Sequence, residues 1–406
     1  MALEAEFTTR PDNFEAPVAS ITSEILMNDS RCTYVTIPEL LSFDEEIKTL
    51  LKQSCEHNLY YSPEFIHQAH IVERPDDKVG AVMIRSSTEP NSDLIGLFLI
   101  EESRFSQLGP FTPLFLSRDI NAASTSPLLR KNFEVEAVRC FLDWLEASKF
   151  RKRVICIEEL KLEGHAWGFL KNELIARKRE ISLLSSYERP AVDTKSAPDA
   201  QSYEQLIKGK TRQNLKRKFR KLGELGELTF TAHTNEQRPA VIEDFLELEM
   251  RGWKGKAGTA LLSDAKYANF ARNFLGKAKY PEIRVEALRL DGLAIAITMH
   301  IVADGNAYHY KPTYDENYSR FSPGTLLHQW TIKQMYETKW ADHMDSATTP
   351  DSQLGSIWKD RVVIGKVMFA ASTATPSLMP GAYVAVDKML QDIKPMLKRI
   401  ALKLGR

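Results

Sequence analysis

The chain has 406 residues, more than one hydrophobic core usually serves, and this length predicts two domains of about 200 residues each. Hydrophobic residues make up 43% and charged residues 27%, a mix that excludes a disordered or membrane-embedded chain. The formal net charge is zero, which argues against a surface devoted as a whole to nucleic acid. We therefore expect no DNA partner, and attention shifts to local concentrations of positive charge.

The four cysteines form no C-x-x-C pair and lie near no histidine cluster, so the sequence predicts buried thiols and no metal site. Residues 1–30 are polar with scattered Pro and Ser, which predicts a mobile leader. The first ten residues carry acids and no apolar run, and no stretch approaches the length of a membrane span. A cytoplasmic location is expected.

The first half of the chain alternates helical and strand-like periodicity, which predicts an α/β domain over residues 31–190. Helical patterns cover 40–56, 133–147 and 164–177, and strand patterns cover 81–84, 94–100, 154–157 and 181–184. The Pro-, Asp- and Ser-containing stretch 189–201 predicts a crossover to a second domain.

The second half, 191–375, repeats this order with stronger periodicity. Helices are predicted at 203–222, 238–252, 266–277 and 325–338, and strands at 228–231, 283–290, 293–302, 306–314, 343–347 and 362–370. Asp291-Gly292 predicts a tight hairpin between two of these strands. Residues 376–406 predict a basic amphipathic tail that docks on a protein surface, although an anionic membrane surface is an alternative.

Two Ser-Pro pairs suggest an internal repeat. Ser126-Pro127 and Ser322-Pro323 each stand before a predicted helix that leads into a strand. The similarity is weak, because Ser-Pro is a common start of a helix in its own right.

The segment 308–316, with the Ser322-Pro323-Gly324-Thr325-Leu326 run that follows, is the strongest candidate for chemistry. A strand leading into a glycine-containing loop and a helix presents backbone N–H groups and the positive end of the helix dipole to an anion such as a diphosphate. An ordinary helix cap is the alternative interpretation.

A basic run opens the second half. It holds eight cations in fourteen residues without an acid: Lys208, Lys210, Arg212, Lys216, Arg217, Lys218, Arg220 and Lys221. Like charges four residues apart weaken a helix, so this density suggests a phosphorylated or polyanionic partner, with a solvated helix face as the alternative.

Trp253 and Lys254 lie in a segment of small residues, 252–260, that could fold over a substrate; a turn around a core tryptophan is the alternative. His300, His309 and His328 are candidate bases, since histidine titrates near neutral pH, but none has a partner visible in the sequence. Alternation along the predicted strand places Tyr308, Tyr310 and Pro312 on one face and His309 and Lys311 on the other.

Several ordered motifs give residues 195–370 a resemblance to the GNAT superfamily of N-acetyltransferases. They include Gly252-Trp253-Lys254-Gly255, Leu290-Asp291-Gly292, Lys311, Tyr314-Asp315-Glu316, Ser322-Pro323-Gly324, Met344-Asp345-Ser346 and Trp358-Lys359-Asp360. Within the superfamily they resemble the group named for the cellulose-biosynthesis protein CelD, which is related to the FemAB peptidyltransferases. The first half resembles the same group only loosely.

The resemblance implies tandem GNAT-like domains, each a mixed and mostly antiparallel sheet flanked by helices, with a degenerate first domain and a catalytic second one. It implies transfer of an acyl group, expected to be acetyl, from acyl-CoA to an amine or hydroxyl. The residues implied are Tyr310, Lys311 and Asp345 for catalysis, Ser322, Pro323, Gly324, Thr325 and Leu326 for the donor, and Trp253, Lys254, Arg212, Lys216, Arg217, Arg220, Tyr314 and Asp315 for the acceptor.

The donor loop departs from the superfamily pattern, because Phe321 stands where a basic residue is usual and Leu326 where a second small residue is usual. Two alternatives therefore stay open: a FemAB-type aminoacyl-tRNA donor, and a non-catalytic polyanion-binding protein. The resemblance suggests a saccharide or phosphorylated acceptor from exopolysaccharide or cell-envelope biosynthesis, with peripheral contact to membrane-bound enzymes.

Overall fold

A computed structural model describes residues 31–375, apart from 74–78, 90, 103–112, 117–121, 152 and 235, together with 381, 383 and 385. The predicted leader lies outside the described residues, as does almost all of the predicted tail. None of the four cysteines forms a disulfide; Cys140 and Cys156 are buried, and the other two are half-buried.

One twisted sheet runs through the described part of the chain, in the order β1-β2-β3-β4-β6-β13-β7-β12-β11-β10-β9-β8, with β5 paired to β3. Its strands are β1 Cys32–Thr36, β2 Val79–Arg85, β3 Leu94–Glu102, β4 Leu114–Leu116, β5 Leu128–Leu129, β6 Val154–Lys161, β7 Ile181–Asp193, β8 Leu228–His233, β9 Glu282–Leu290, β10 Leu293–Ala303, β11 Asn306–Tyr314, β12 His343–Asp345 and β13 Asp360–Ala370.

Helices flank the sheet on both faces. They are α1 Ile37–Leu40, α2 Asp44–Gln53, α3 Pro63–Glu73, α4 Glu134–Ala147, α5 His165–Ala176, α6 Ala200–Leu206, α7 Gly209–Gly223, α8 Arg238–Arg251, α9 Trp253–Lys256, α10 Ala265–Phe270 and α11 Pro323–Thr338. A wider π-helical turn, Ala271–Leu275, extends α10, and a 3-10 turn, Glu316–Phe321, precedes α11.

The sheet is mixed and mostly antiparallel, as predicted. Among the described strands, two neighbouring pairs are parallel: β4 with β6 and β11 with β12. A helix connects the strands of each pair, α4 in the first half and α11 in the second. Parallel neighbours need such a crossover connection, and their carboxyl ends form an edge at which ligands commonly bind.

The two halves exchange strands at the centre of the sheet. The last strand, β13, lies between β6 and β7, whereas β7 lies between β13 and β12. The predicted crossover at 189–201 therefore begins inside β7, which continues to Asp193. The predicted boundary at residue 190 also falls within this strand. Sequence periodicity detects a strand but not its neighbours, so the exchange had no local indication.

The tight hairpin turn predicted from Asp291-Gly292 is confirmed. Asp291 and Gly292 both have positive φ, 48° and 81°, which is the two-residue turn that the hairpin requires.

The predicted basic helix 203–222 is instead two helices, because the chain is extended at Ile207. Arg212 Nη1 donates to the carbonyls of Glu204, Gln205 and Ile207 at the end of α6 and so stabilises the break.

The proposed repeat of Ser-Pro helix starts is wrong in the first half. Leu128 and Leu129, directly after Ser126-Pro127, form strand β5, and α4 begins only at Glu134. These two residues pair with β3 and are therefore part of the sheet rather than of a helix.

Candidate active site

The parallel pairing of β11 with β12 stops at Tyr308 and Asp345. Beyond this point β11 continues to Tyr314 and pairs only with β10 on its other side. We call the region between β11 residues 309–314 and the chain from Ser346 onward the second wedge. It lies at the carboxyl edge of a parallel pair, the position predicted for ligand binding.

A bulge interrupts β11 inside this wedge. Thr298 pairs with Pro312 and His300 with His309, so Met299 alone lies opposite both Tyr310 and Lys311. One extra residue reverses the alternation of side chains, so Pro312 does not share the face of Tyr308 as regular alternation predicted. Tyr308 is buried, whereas Pro312 is exposed. The half-buried Tyr310 ring lies 6.4 Å from that of Phe270, and the Lys311 ammonium is 5.6 Å from the Tyr310 ring.

The start of α11 lies next to the wedge. Ser322 adopts the left-handed conformation (φ 54°, ψ 54°), Pro323 is the first helical residue, and the first turn contains no acid. The first helical hydrogen bond runs from Leu326 N–H to the Ser322 carbonyl. The N–H groups of Gly324 and Thr325 therefore precede the helical bonding pattern and point out of the helix end, where an anion is favoured.

Gly324 keeps this helix start open. A Cβ added there would meet one atom, Cδ1 of Tyr314, at 3.9 Å. Leu326, in contrast, is buried in the core beneath α11, and its N–H is already bonded. The predicted donor-binding role of Leu326 is therefore not supported by its position.

Helix α7 brings a cation to the same point. Lys218 Nζ donates to Ser322 Oγ over 2.6 Å, although the two residues are 104 positions apart in the chain. Sequence reasoning included Lys218 in the basic run but did not single it out, because nothing local distinguishes it from its neighbours. The structure makes it the member of the run that contacts the α11 start.

The other predicted α7 cations are placed differently. Arg212 stabilises the end of α6, Lys216 lies 3.4 Å from Glu204, Arg217 donates to Asn214, and Arg220 lies 3.8 Å from Glu224. Apart from Arg212, these cations are exposed on the solvent side of the helix. They lie on the outer face of α7 rather than at the α11 start.

An aromatic series adjoins α7. Phe219, 44% exposed, lies 6.2 Å from the ring of Phe230 on β8, which in turn lies 5.5 Å from that of Trp330 on α11. The basic helix therefore has aromatic neighbours, one of them within the run itself.

The segment 252–260 contacts the loop before α11. Trp253 N–H donates to Glu316 Oε1 over 2.7 Å, and Lys256 lies 3.2 Å from Glu316 Oε2. The Trp253 side chain is 58% exposed, so the alternative of a core tryptophan is wrong. Tyr314, 39% exposed, is the residue two before Glu316. Glu316 thus connects the two segments that carry the exposed aromatic residues Trp253 and Tyr314.

Lys254 has a structural partner. Its ammonium lies 2.7 Å from the buried carboxylate of Glu249, which also accepts from Leu261 N–H over 2.8 Å. Gly255 permits the close packing of this turn, because a Cβ there would lie 1.8 Å from the Met250 carbonyl oxygen. Asp315 likewise serves structure, since it accepts from Asn317 N–H at the start of the 3-10 turn.

Asp345 does not face the wedge as a free base. Its Oδ1 lies 2.6 Å from Arg189 Nε and its Oδ2 accepts from Arg189 Nη2 over 2.7 Å, with both side chains buried. Burial acts to lower the pKa of Arg189, but Asp345 raises it above the ordinary value. This arrangement contradicts the catalytic role predicted for Asp345, because both of its carboxylate oxygens are held by the buried Arg189 side chain.

The three candidate histidine bases are all buried. Burial, followed by the charge of His300, lowers the pKa of His309 to about 3. Burial also holds the pKa of His328 well below its usual value. His309 and His328 are therefore neutral near pH 7, and their low basicity makes them poor general bases.

In the first half the described pairing of β4 with β6 ends at Leu116 and Ile157, and we call β6 beyond Ile157, with the segment 122–126 beside it, the first wedge. The chain's own segment 122–126 contacts β6 there, as Thr125 Oγ1 donates to the Glu158 carbonyl. Arg189 Nη2 donates to the Ala123 carbonyl over 2.6 Å. The carbonyls of Ser124 and Ser126 accept from Asn58 Nδ2.

In the part of the chain that the structure describes, no helix is long and apolar enough to cross a membrane. No group of three or more His, Cys, Asp or Glu side chains in this part of the chain is arranged to hold a metal ion.

Comparison with known proteins finds a family match in the second half of the chain. Residues 209–350, from the start of α7 to just beyond β12, match the family model of the acetyltransferase (GNAT) domain. No curated protein sequence matches the chain. The match does not distinguish the CelD-like group from the rest of the superfamily.

Solved structures share the fold at low sequence identity. FemX is 10% identical, with a TM-score of 0.53 over 80% of this chain and 95% of its own. The C-terminal domain of a putative lysylphosphatidylglycerol synthetase from Agrobacterium fabrum is 13% identical, with a TM-score of 0.53 over 88% of this chain and 96% of that domain. A conserved protein of unknown function from Bacteroides thetaiotaomicron is 11% identical, with a TM-score of 0.52 over 81% and 96% of the two chains. The chain thus shares its fold with FemX, and its residues 209–350 match the acetyltransferase (GNAT) domain.

Proposed function

We propose that this protein transfers an acyl group from acyl-CoA to an amine or hydroxyl, with the diphosphate of the donor at the start of α11. The observation that carries the proposal is the contact of Lys218 with Ser322. It adds a cation to a helix start that already presents the N–H groups of Gly324 and Thr325.

Lys218 also accounts for the unusual donor loop. Phe321 stands where the superfamily pattern has a basic residue, and its side chain is buried in the core. Lys218 on helix α7 supplies a cation at the α11 start and so replaces the basic residue that the loop itself lacks. A diphosphate accepts hydrogen bonds from an ammonium group and from backbone N–H groups together, and charge-assisted bonds of this kind are the strong ones.

The second wedge is the place proposed for the thioester. A backbone N–H of β11, on the side from which β12 has departed, would polarise the thioester carbonyl. The acceptor nitrogen or oxygen then attacks that carbon, the C–S bond breaks, and the acceptor's proton leaves to solvent while CoA departs as the thiolate. Since Asp345, His309 and His328 are poorly suited to the role of general base, we assign the rate mainly to positioning and to carbonyl polarisation.

We propose that the acceptor binds at the surface formed by Trp253 and Tyr314. Both side chains are exposed, and Glu316 joins their segments next to the loop that leads to α11. The exposed cations Lys216 and Arg220 favour an anionic or phosphorylated acceptor. The resemblance to CelD-like proteins supports an exopolysaccharide or cell-envelope precursor as the acceptor class.

A second candidate function is transfer from aminoacyl-tRNA. The series Phe219, Phe230 and Trp330 favours it, because aromatic side chains beside cations are suited to stacking with unpaired bases. We favour acyl-CoA because the Lys218 cation reaches the same helix start that presents the N–H groups of Gly324 and Thr325. A polyanion-binding protein without activity would bind RNA but transfer no acyl group.

Calorimetric titration with CoA and acetyl-CoA tests the proposal. We expect one site per chain, and we expect Lys218→Gln to weaken binding about tenfold, since a charge-assisted hydrogen bond is lost. Lys221→Gln is the matched control, because Lys221 is an exposed cation on the same helix. Absence of CoA binding, or an equal loss in both variants, would contradict the proposed donor site. Tight binding of aminoacyl-tRNA without CoA binding would instead support the second candidate.

A further inference from the structure

A buried polar cluster lies beneath the second wedge and has no role in the function proposed above. It consists of His300, His309, His328, Glu286 and Trp358, none more than 5% exposed. The His309 ring lies 4.9 Å from that of His328 and 5.8 Å from that of Trp358. His300 Nε2 lies 3.4 Å from Glu286 Oε2. So many polar groups are costly to bury, which suggests that at least one of them has a specific task.

His309 has one hydrogen bond that determines its tautomer. Its Nδ1 lies 3.2 Å from the Ser346 carbonyl oxygen, which only accepts. Nδ1 therefore carries the hydrogen, and Nε2 of the neutral ring keeps its lone pair. The low pKa of this buried ring is consistent with a single neutral tautomer.

Ser346 is the residue at which β12 leaves the parallel ladder. Its N–H donates to the Pro190 carbonyl over 3.0 Å, and Ala347 N–H donates to Asp345 Oδ1 over 2.9 Å. Ala347 has φ 50°, a left-handed conformation that is unfavourable for a residue with a Cβ. The chain thus turns sharply after Asp345, and the turn directs the Ser346 carbonyl to a side chain of β11 instead of to its backbone.

We propose that His309 is a positioning residue of the acyl site, whose Nδ1–H holds the Ser346 carbonyl and so keeps the end of β12 separated from β11. His309 immediately follows Tyr308, the last paired residue, and therefore lies at the apex of the second wedge. The proposal rests on the proposed function, because it assigns His309 the task of maintaining the space for the thioester. His309 itself does not act on the reacting atoms.

Two substitutions separate this hydrogen bond from the rest of the ring. His309→Asn places an amide nitrogen near the position of Nδ1 and keeps a donor for Ser346, whereas His309→Gln places it near Nε2. We expect His309→Asn to retain kcat within about threefold and His309→Gln to lose about tenfold, with a smaller change in donor KM, because only the second loses the bond at the apex. His328→Asn is the matched control for a neighbouring buried imidazole that does not contact Ser346.

An NMR measurement tests the positioning without activity. The sequence contains two Ser-Ala peptide bonds, 196–197 and 346–347, so labelling with carbonyl-13C serine and 15N alanine gives two resonances. We expect His309→Gln to shift the 346–347 resonance and leave 196–197 unchanged, and His309→Asn to shift neither. In the wild type, 15N-labelled histidine should show the Nδ1–H tautomer for His309.

The outcomes distinguish the two proposals. An Nε2–H tautomer, or equal effects of the Asn and Gln variants on the 346–347 resonance and on kcat, would overturn the role of His309 while leaving CoA binding intact. Failure of the wild type to bind CoA would overturn the proposed function, and the NMR result would still decide whether His309 holds Ser346.

Discussion

The two wedges of the sheet begin alike and end differently. Each follows a parallel pair of strands whose crossover connection contains a helix, α4 in the first half and α11 in the second. In the first wedge the chain's own segment 122–126 contacts β6, and the first turn of α4 carries Glu134 and Glu136. In the second wedge β11 and β12 part after Tyr308, and the first turn of α11 carries no acid.

This difference shows that the fold alone does not make a donor site. A helix start attracts an anion only when its N–H groups are accessible and its neighbouring charges are positive. Two carboxylates at the start of α4 oppose an anion, whereas Lys218 favours one at the start of α11. The same sheet pattern thus favours an anion at the helix start of the second half and opposes one at the helix start of the first half.

The largest expected effect comes from the residue that connects the two wedges. Arg189 donates to the Ala123 carbonyl in the first wedge and pairs with Asp345 at the end of β12. Asp345→Asn should lower the free energy of unfolding by about 3 kcal/mol, because it removes the buried counter-charge of Arg189 and leaves only the partly exposed carboxylate of Glu159, 3.2 Å from Nη1. Urea unfolding followed by circular dichroism measures this change.

The control for this prediction is an exposed ion pair in the second half. Arg272 and Glu243 are 2.7 Å apart on the surface, and Glu243→Gln should lower the free energy of unfolding by at most about 1 kcal/mol. If Asp345→Asn lowered the free energy of unfolding no more than this control does, the role described for Arg189 in connecting the two wedges would be contradicted.

The next effect concerns donor binding at the two helix starts. Gly324→Asp should weaken CoA binding more than tenfold, since it adds a carboxylate where the diphosphate meets the helix dipole. Gly324→Ala should bind CoA within about threefold of the wild type, because a Cβ there meets only the Tyr314 ring edge at 3.9 Å. Calorimetry gives both affinities. A stoichiometry of two, or weaker binding after Pro127→Ala with stability unchanged, would place a donor site in the first wedge as well.

A more gradual effect, spread over several pH units, is a pH dependence of stability that arises in the second half. The buried histidines of the described residues, His300, His309 and His328, all lie there. Burial lowers the pKa of His309 from 6.5 to about 3, so between these values the unfolded chain binds more protons than the folded one. The stabilisation of the folded chain by the neutral His309 ring is therefore complete above about pH 6.5. It is lost as the pH falls toward 3, at up to about 1.4 kcal/mol of unfolding free energy per pH unit for one proton.

Urea titrations at pH 7, 5 and 4 measure this slope, and His309→Asn should reduce it because asparagine does not titrate. His67→Asn serves as the control, since His67 is an exposed histidine of the first half. An equal reduction in both variants would remove the distinction between the two halves.

The sequence by itself determined most elements of the fold. Strand β11 has its predicted bounds, α4 and α8 differ from theirs by one residue, and Asp291-Gly292 makes the predicted hairpin turn. The physical reason is that periodic burial and turn conformations are local properties, expressed within a few residues of the chain. The family motifs likewise directed attention to the α11 start, because they are contiguous or closely spaced.

Only the tertiary structure decided which of these residues share a site. Lys218 is one of eight cations in its run, and its contact with Ser322 spans 104 positions. The Arg189–Asp345 pair spans 156 positions and turned a candidate base into a structural carboxylate. The bulge at Tyr310 and the exchange of β7 and β13 depend on neighbouring strands. Such outcomes follow from packing and charge pairing across the sheet, which residue spacing along one chain does not specify.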